Sequence, residues 1–291
     1  MSNEARNAKL RQLINDEKIL VVPGVTDPYL AKLVEKTGFD AVYMTGAGVS
    51  HTRLGMPDLG LLTFSEMVDQ ASRIADAVDI PLIADADTGY GNALNVQRTI
   101  RAYERAGVSA CHIEDQDMPK RCGHFDEKTV VPLREMLGKL KAALDARIDP
   151  NFLVIARTDA RTAVGFDEAL ERGLAFADVG ADIVFVESPT SKEELATVGQ
   201  TIKHPLLANM VETGLTPLLP AAELQALGFN IAIHPGAIGR FIGKQVSEFL
   251  AQVLEEGSTL GQLDRMLDFK AQNAIVDLPA YLETAARYKD E

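Results

Sequence analysis

Carboxylates recur in this chain just where short apolar runs stop. After the run 80–83 the sequence reads Ala84-Asp85-Ala86-Asp87-Thr88-Gly89-Tyr90-Gly91, and a later run closes as His112-Ile113-Glu114-Asp115. Residues i and i+2 of an extended strand share a face, so Asp85 and Asp87 are expected to point the same way. Glu114, at the end of the neighbouring strand, can join them. Three carboxylates on one rim repel each other unless a cation sits between them, and an all-oxygen ligand set suits a hard ion, Mg²⁺ or Mn²⁺. An isolated Asp-x-Asp is equally well explained by helix capping or a solvated face. The company of Glu114 is what favours a metal.

Other side chains at strand ends add to the set. Arg157 follows Leu153-Val154-Ile155-Ala156, so it closes a core strand and needs an anionic partner. That partner is either a substrate carboxylate, gripped by the bidentate guanidinium fork, or a structural acid, Glu187 or Asp159. The segment 116–125 contains Lys120-Arg121-Cys122-Gly123-His124. Three cationic neighbours should lower the pKa of the Cys122 thiol and make it reactive, and Gly123 gives the loop conformational freedom. The other cysteine, Cys111, lies in an apolar strand and reads as packing. His234 closes the last strand, either as a hydrogen-bonded barrel residue or as a chemical group.

These residues need a scaffold that gathers strand ends. Runs rich in Val, Ile and Leu occupy 18–24, 39–46, 80–87, 108–115, 152–159, 182–188, 205–211 and 230–236, and segments of helical period separate them. Thr63 with Glu66 and Ser191 with Glu194 read as capping boxes. Gly38, Gly107, Gly180 and Gly228 each stand where a helix should stop before the next strand. Eight such repeats fit a closed (β/α)8 barrel or an open doubly wound sheet. The first strand is followed by Pro23-Gly24-Val25-Thr26-Asp27-Pro28 rather than a Gly-rich phosphate loop, which favours the barrel. No linker interrupts the pattern, so one domain over 1–291 is expected, with further helices at its C-terminus. In such a barrel the C-terminal strand ends share one face, which is the functional one.

Composition narrows the partners. The formal net charge of −13 argues against nucleic acid and anionic membranes, although a local cluster of Arg and metal still suits a small acid. No apolar run approaches membrane-spanning length, the N-terminus lacks the apolar stretch of a signal peptide, and two cysteines suit a reducing cytosol.

The string Lys120-Arg121-Cys122-Gly123-His124 resembles the signature loop of the isocitrate lyase and phosphoenolpyruvate mutase superfamily. Residues 84–91 match its metal-binding strand end. The likeness continues through His112–Gln116, Ala156–Ala160 and Leu207–Val211, over nearly the whole chain. This resemblance implies a TIM barrel with bound Mg²⁺ and a homotetramer in which the last barrel helix is exchanged between neighbouring subunits. It implies Asp85, Asp87 and Glu114 as metal ligands, with Asp58 as an outer member. Substrate contacts carry over to Tyr43, Thr45, Gly46, Ala47, Cys122, Gly123, Arg157, Glu187 and Asn209; His124 and His234 lie near enough to be candidates. Within the superfamily, Cys122 points to the lyases. Asn209–Gly214 and Phe269 resemble the 2,3-dimethylmalate lyase and petal death protein branch. The 2-methylisocitrate lyases carry Ser-Gly-Gly where Thr45-Gly46-Ala47 stands here, and a second arginine where Asp268-Phe269 stands; only Arg240 is kept. The expected reaction is cleavage of the C2–C3 bond of a small 2-hydroxy dicarboxylate, a 2-alkylmalate or 2-methylisocitrate. Tyr43 or Glu114 would act as base, Cys122 as acid and Arg157 as anion holder. The alternative is hydrolysis or decarboxylation of oxaloacetate at the same metal.

Overall fold

The computed structural model describes residues 1–121, 123 and 128–289. Eight parallel strands close into a barrel in sequence order: β1 (Leu20–Val25), β2 (Val42–Met44), β3 (Leu82–Asp85), β4 (Ala110–Glu114), β5 (Leu153–Thr158), β6 (Ile183–Val186), β7 (Leu206–Asn209) and β8 (Ile231–His234). Closure is made by β1 against β8, with Leu20 opposite Ile231 and Pro23 opposite His234. Each expected strand is present, but shorter than its apolar run. The pairing ends where the chain must turn to meet the next helix.

Helices form where the periodicity places them. Phe64–Ala77 begins at a complete Thr63/Glu66 capping box. At Lys192–Thr201 only half of the expected box forms. Ser191 accepts from the Glu194 amide, but the Glu194 carboxylate turns to Arg161, 2.8 Å away, and to the Thr190 amide. An arginine one strand of sequence upstream outcompetes the local cap. Gly38, Gly107, Gly180 and Gly228 all stop helices at positive φ (88–99°), as a left-handed C-cap requires.

Two apolar layers result. Val22, Tyr43, Ile83, Leu153, Ile155, Phe185, Leu207 and Ile233 fill the barrel, and Leu10 and Ile14 of the N-terminal helix Asn3–Asn15 join them. That helix covers the end where the strands begin: Asn230, just before β8, donates to its Ile14 carbonyl, and its Arg11 pairs with Asp182, just before β6. The second layer lies between the strands and the surrounding helices. With the barrel interior and one end filled, the C-terminal strand ends remain for chemistry. Among the described residues no helix is long and apolar enough to cross a membrane.

Candidate active site

The strand ends open into a cavity of about 370 Å³. Tyr43, Thr45, Ala47, Asp58, Asp85, Glu114, Lys120, Gly123, Arg157, Glu187 and Asn209 all line it. Cys122 and His124 lie outside the described residues. His234 does not line the cavity; its Nδ1 faces Glu212 at 4.0 Å.

Asp85 ends β3. Its Oδ2 accepts from the Gly46 amide at 3.2 Å and its Oδ1 from the Asp87 amide at 2.9 Å. Gly46 opens a short helix (Gly46–Val49), which begins right after β2 and brings this amide onto the carboxylate. A Cβ at Gly46 would lie 2.4 Å from Asp85 Oδ2. Gly46→Ala should therefore displace Asp85 and, on the expectation that Asp85 is a metal ligand, weaken Mg²⁺ affinity about tenfold or more, by analogy with loss of a ligand-orienting group. Isothermal titration with the metal checks this, and an unchanged affinity would remove Asp85 from the ligand set.

Asp87 corrects the strand-face expectation. β3 stops at Asp85, and Asp87 sits in the turn beyond it with φ 46°. Alternation along a strand is not what aims its carboxylate. The turn does so, tied down by the Glu114 amide donating to the Asp87 carbonyl. Nor do Asp85, Asp87 and Glu114 stand as a ready-made cluster. Among the described residues no three His, Cys, Asp or Glu side chains meet closely enough to hold a metal. The Lys120 ammonium lies among the acids, 2.7 Å from both Asp58 and Asp87. Its charge is thus committed to carboxylates, which the sequence reading had not foreseen.

The donor set nonetheless fits a divalent cation. Asp58, Asp85, Asp87, Glu114, Asp159 and Glu187 are six buried carboxylates facing three buried cations, Lys120, Lys128 and Arg157. Glu114 Oε1 is buried with no hydrogen-bond partner. Burial pushes Asp87 up to about 6 despite Lys120 beside it, and also raises Asp85 and Glu114. Carboxylates in that condition gain from added positive charge.

Arg157 is gripped from three sides. Its Nε and Nη2 donate to Asp159 at 2.9 and 3.0 Å, and Nη1 and Nη2 lie 3.2 and 3.4 Å from Glu114 and Glu187. Both structural partners proposed from sequence are therefore real, and Glu114 is a third. Burial opposes its charge, but these three acids outweigh it and hold the guanidinium fully ionised. Asn209 donates to Glu187 at 3.0 Å, while its own buried Oδ1 has no partner.

His112 stands at a strand end in the sequence but carries no role there. It alternates with Glu114 on β4, so period-two counting would have found it. Its Nε2 is 2.8 Å from the Tyr43 hydroxyl and 3.5 Å from Asp85. Burial, then Arg157, depresses its pKa to about 3, so the ring is neutral. Burial and the Asp85 charge raise the Tyr43 phenol, which stays protonated in this pocket. Cys111 is packed as expected, and burial pushes its thiol up.

A sequence profile of the phosphoenolpyruvate phosphomutase family matches residues 10–254. The chain is 50% identical over 281 residues to the 2,3-dimethylmalate lyase of Eubacterium barkeri, spanning 97% of each. It is 44% identical over 257 residues to the 2-methylisocitrate lyase of Aeropyrum pernix, spanning 88% of this chain and 82% of that one. Among solved structures, oxaloacetate acetylhydrolase in complex with 3,3-difluorooxalacetate superposes with a TM-score of 0.92 at 38% identity, over 97% of this chain and 96% of that one. Phosphonopyruvate hydrolase in complex with oxalate and Mg²⁺ superposes at 0.88 and 32% identity, over 99% of each. The profile match, the full-length likeness to named lyases and the acid-ringed cavity at the C-terminal strand ends agree: this chain belongs to the phosphoenolpyruvate mutase/isocitrate lyase superfamily.

Proposed function

We propose that this enzyme is a Mg²⁺-dependent lyase that cleaves the C2–C3 bond of a 2-alkylmalate, with 2,3-dimethylmalate foremost. The observation that carries this reading is the polarity of the cavity. Its buried part presents Asp85, Glu114, Arg157 and Glu187, and its wall continues through Leu30, Val211, Pro235 and Gly239. Charged substrate groups and short alkyl substituents each find a matching surface there. Arg240 also lines the cavity, but its Nη1 lies 3.6 Å from Glu212, so a third carboxylate, as in 2-methylisocitrate, would compete with an acid already in place.

Asp85, Asp87 and Glu114 would hold Mg²⁺, with Asp58 further out, and the metal would supply the Lewis acidity that makes the C2 hydroxyl easier to ionise. The chain's own groups do the rest. A base removes the hydroxyl proton, and C2 becomes a carbonyl as the C2–C3 electron pair moves into the departing carboxylic acid as an enediolate. Glu114, whose Oε1 is free of partners, is the better-placed base; Tyr43, protonated and hydrogen-bonded to His112, is suited to donate a hydrogen bond rather than to accept the proton. Arg157 holds developing anionic charge in a water-poor site. Cys122 is the proposed acid that protonates C3, giving the α-keto acid and the carboxylic acid.

Turnover with Mg²⁺ on 2,3-dimethylmalate, 2-methylisocitrate, citramalate and oxaloacetate tests the reading. Pyruvate from an alkylmalate, reduced about 10²–10⁴-fold in Cys122→Ser, is the expected result. The likeness to oxaloacetate acetylhydrolase favours a second reading, in which oxaloacetate yields oxalate. Oxalate from oxaloacetate as the main product would select hydrolysis, and pyruvate from oxaloacetate alone, untouched by the serine variant, would select decarboxylation.

The assembly we propose is a homotetramer that exchanges the helix Ala237–Glu256. None of its twenty residues is buried within one chain, and Phe241, Leu250 and Leu254 are exposed. Light scattering should give four times the 31.5 kDa chain mass. A reducing cytosol is the proposed compartment, consistent with two cysteines that form no scaffold of disulfides.

A further inference from the structure

We infer that Lys128 is a positioning residue of this site: together with Ser188 it fixes the Gly123 backbone against the Arg157 guanidinium. The Lys128 ammonium is buried and lies 2.8 Å from Asp159 Oδ1, the same carboxylate that grips Arg157. The same ammonium donates to the Gly123 carbonyl, and the Ser188 hydroxyl donates to that carbonyl at 3.1 Å. One cation thus joins the segment carrying Gly123 to the acid that aims Arg157. The approach is tight, since a Cβ at Gly123 would lie 2.4 Å from Arg157 Nη2 and 2.8 Å from Glu187 Oε2.

Two features separate this from an ordinary buried ion pair. First, Gly123 and Arg157 both line the cavity, so what Lys128 holds is cavity wall. Second, Ser188 has φ 58°, a left-handed backbone that non-glycine residues adopt rarely and at a cost. In that conformation its amide donates to Glu187 Oε1 at 2.8 Å while its hydroxyl reaches Gly123. Strain is retained where it serves the geometry around Arg157.

The inference rests on the lyase reading for its kinetic test, so a second measurement independent of turnover accompanies it. In the intact enzyme, Lys128→Met is expected to lower kcat about 30–100-fold with little change in KM, as a displacement near 1 Å in a reacting site does. Lys128→Arg should restore part of the loss by keeping the charge. Trypsin should cut after Arg121 several-fold faster in Lys128→Met than in the wild type, because a lost anchor raises the local opening population. Cleavage in the C-terminal helices should not change. If turnover and the Arg121 cut both stay at wild-type rates, the inference is overturned. It is equally overturned if turnover falls while the cut is unchanged and arginine restores nothing. Should the wild type turn over no member of the substrate panel, the lyase reading fails and the trypsin comparison alone decides on Lys128. If Lys128→Met does not fold, Ser188→Ala decides, with the same two effects expected at about 3–10-fold, the scale of one hydrogen bond.

Discussion

Replacing Arg157 with methionine should abolish most turnover and lower the thermal midpoint by roughly 6–10 °C. Arg157 faces Glu114, Asp159 and Glu187, all buried. Removing it leaves three buried carboxylates short of their shared cation. Breaking a buried ion pair from one side costs about 3–5 kcal/mol, and in a chain of this size each kcal/mol moves the midpoint by about 2 °C. The kinetic loss should be about 10²–10³-fold, the scale of a removed donor to developing negative charge. Lysine should not rescue it, since one ammonium cannot reproduce the fork that binds Asp159 through two nitrogens while touching both glutamates. Calorimetry and steady-state kinetics on both variants check this. A methionine variant with wild-type stability would mean that the three acids around Arg157 do not depend on its charge.

Asp87→Asn should do the opposite to stability while still removing metal-dependent turnover. Burial raises the folded-state pKa of Asp87 to about 6 from 3.8. Between those values the folded chain keeps a proton that the unfolded chain has released. The Asp87 contribution to stability is therefore most favourable below pH 4, falls as pH rises through 4–6 and levels off above 6. The span is on the order of 2–3 kcal/mol for a shift of this size. Asparagine cannot ionise, and it tolerates the left-handed backbone that Asp87 adopts at φ 46°. In chelator, the variant should match the wild type near pH 4 and exceed it at pH 7, with urea midpoints as the measurement. Saturating Mg²⁺ should stabilise the wild type and not the variant. A variant less stable than wild type at pH 7 would show that the Lys120–Asp87 pair outweighs the desolvation of Asp87, and the case for a cation-seeking cluster would weaken.

Local physics explains what could be read in advance. Strands and helices follow from hydrophobic period, and the glycines that end helices follow from the left-handed caps they occupy. These are properties of segments a few residues long. The barrel followed from counting eight such units without a phosphate loop after the first. The cavity-facing acids were legible because a barrel turns strand ends toward one face, so position along the chain implied position in space. The resemblance carried by residues 84–91 and 120–124 added the expected chemistry.

What the sequence could not decide depends on contacts between distant segments. Asp87 was placed by strand alternation, but the pairing stops at Asp85 and a turn does the aiming. Glu194 matched a capping box, yet Arg161, 33 residues away, takes its carboxylate. Lys120 was read beside Cys122, whereas its ammonium crosses 62 residues of sequence to Asp58. Lys128 and Ser188 carried no signal, because their common partner, the Gly123 carbonyl, is a backbone group that every residue possesses. The sequence by itself determined the repeating units and which ionisable groups lie at their ends, since both follow from local pattern. Only the closed barrel decided which cation meets which acid, because a buried charge takes the nearest opposite charge in space, whatever its distance along the chain.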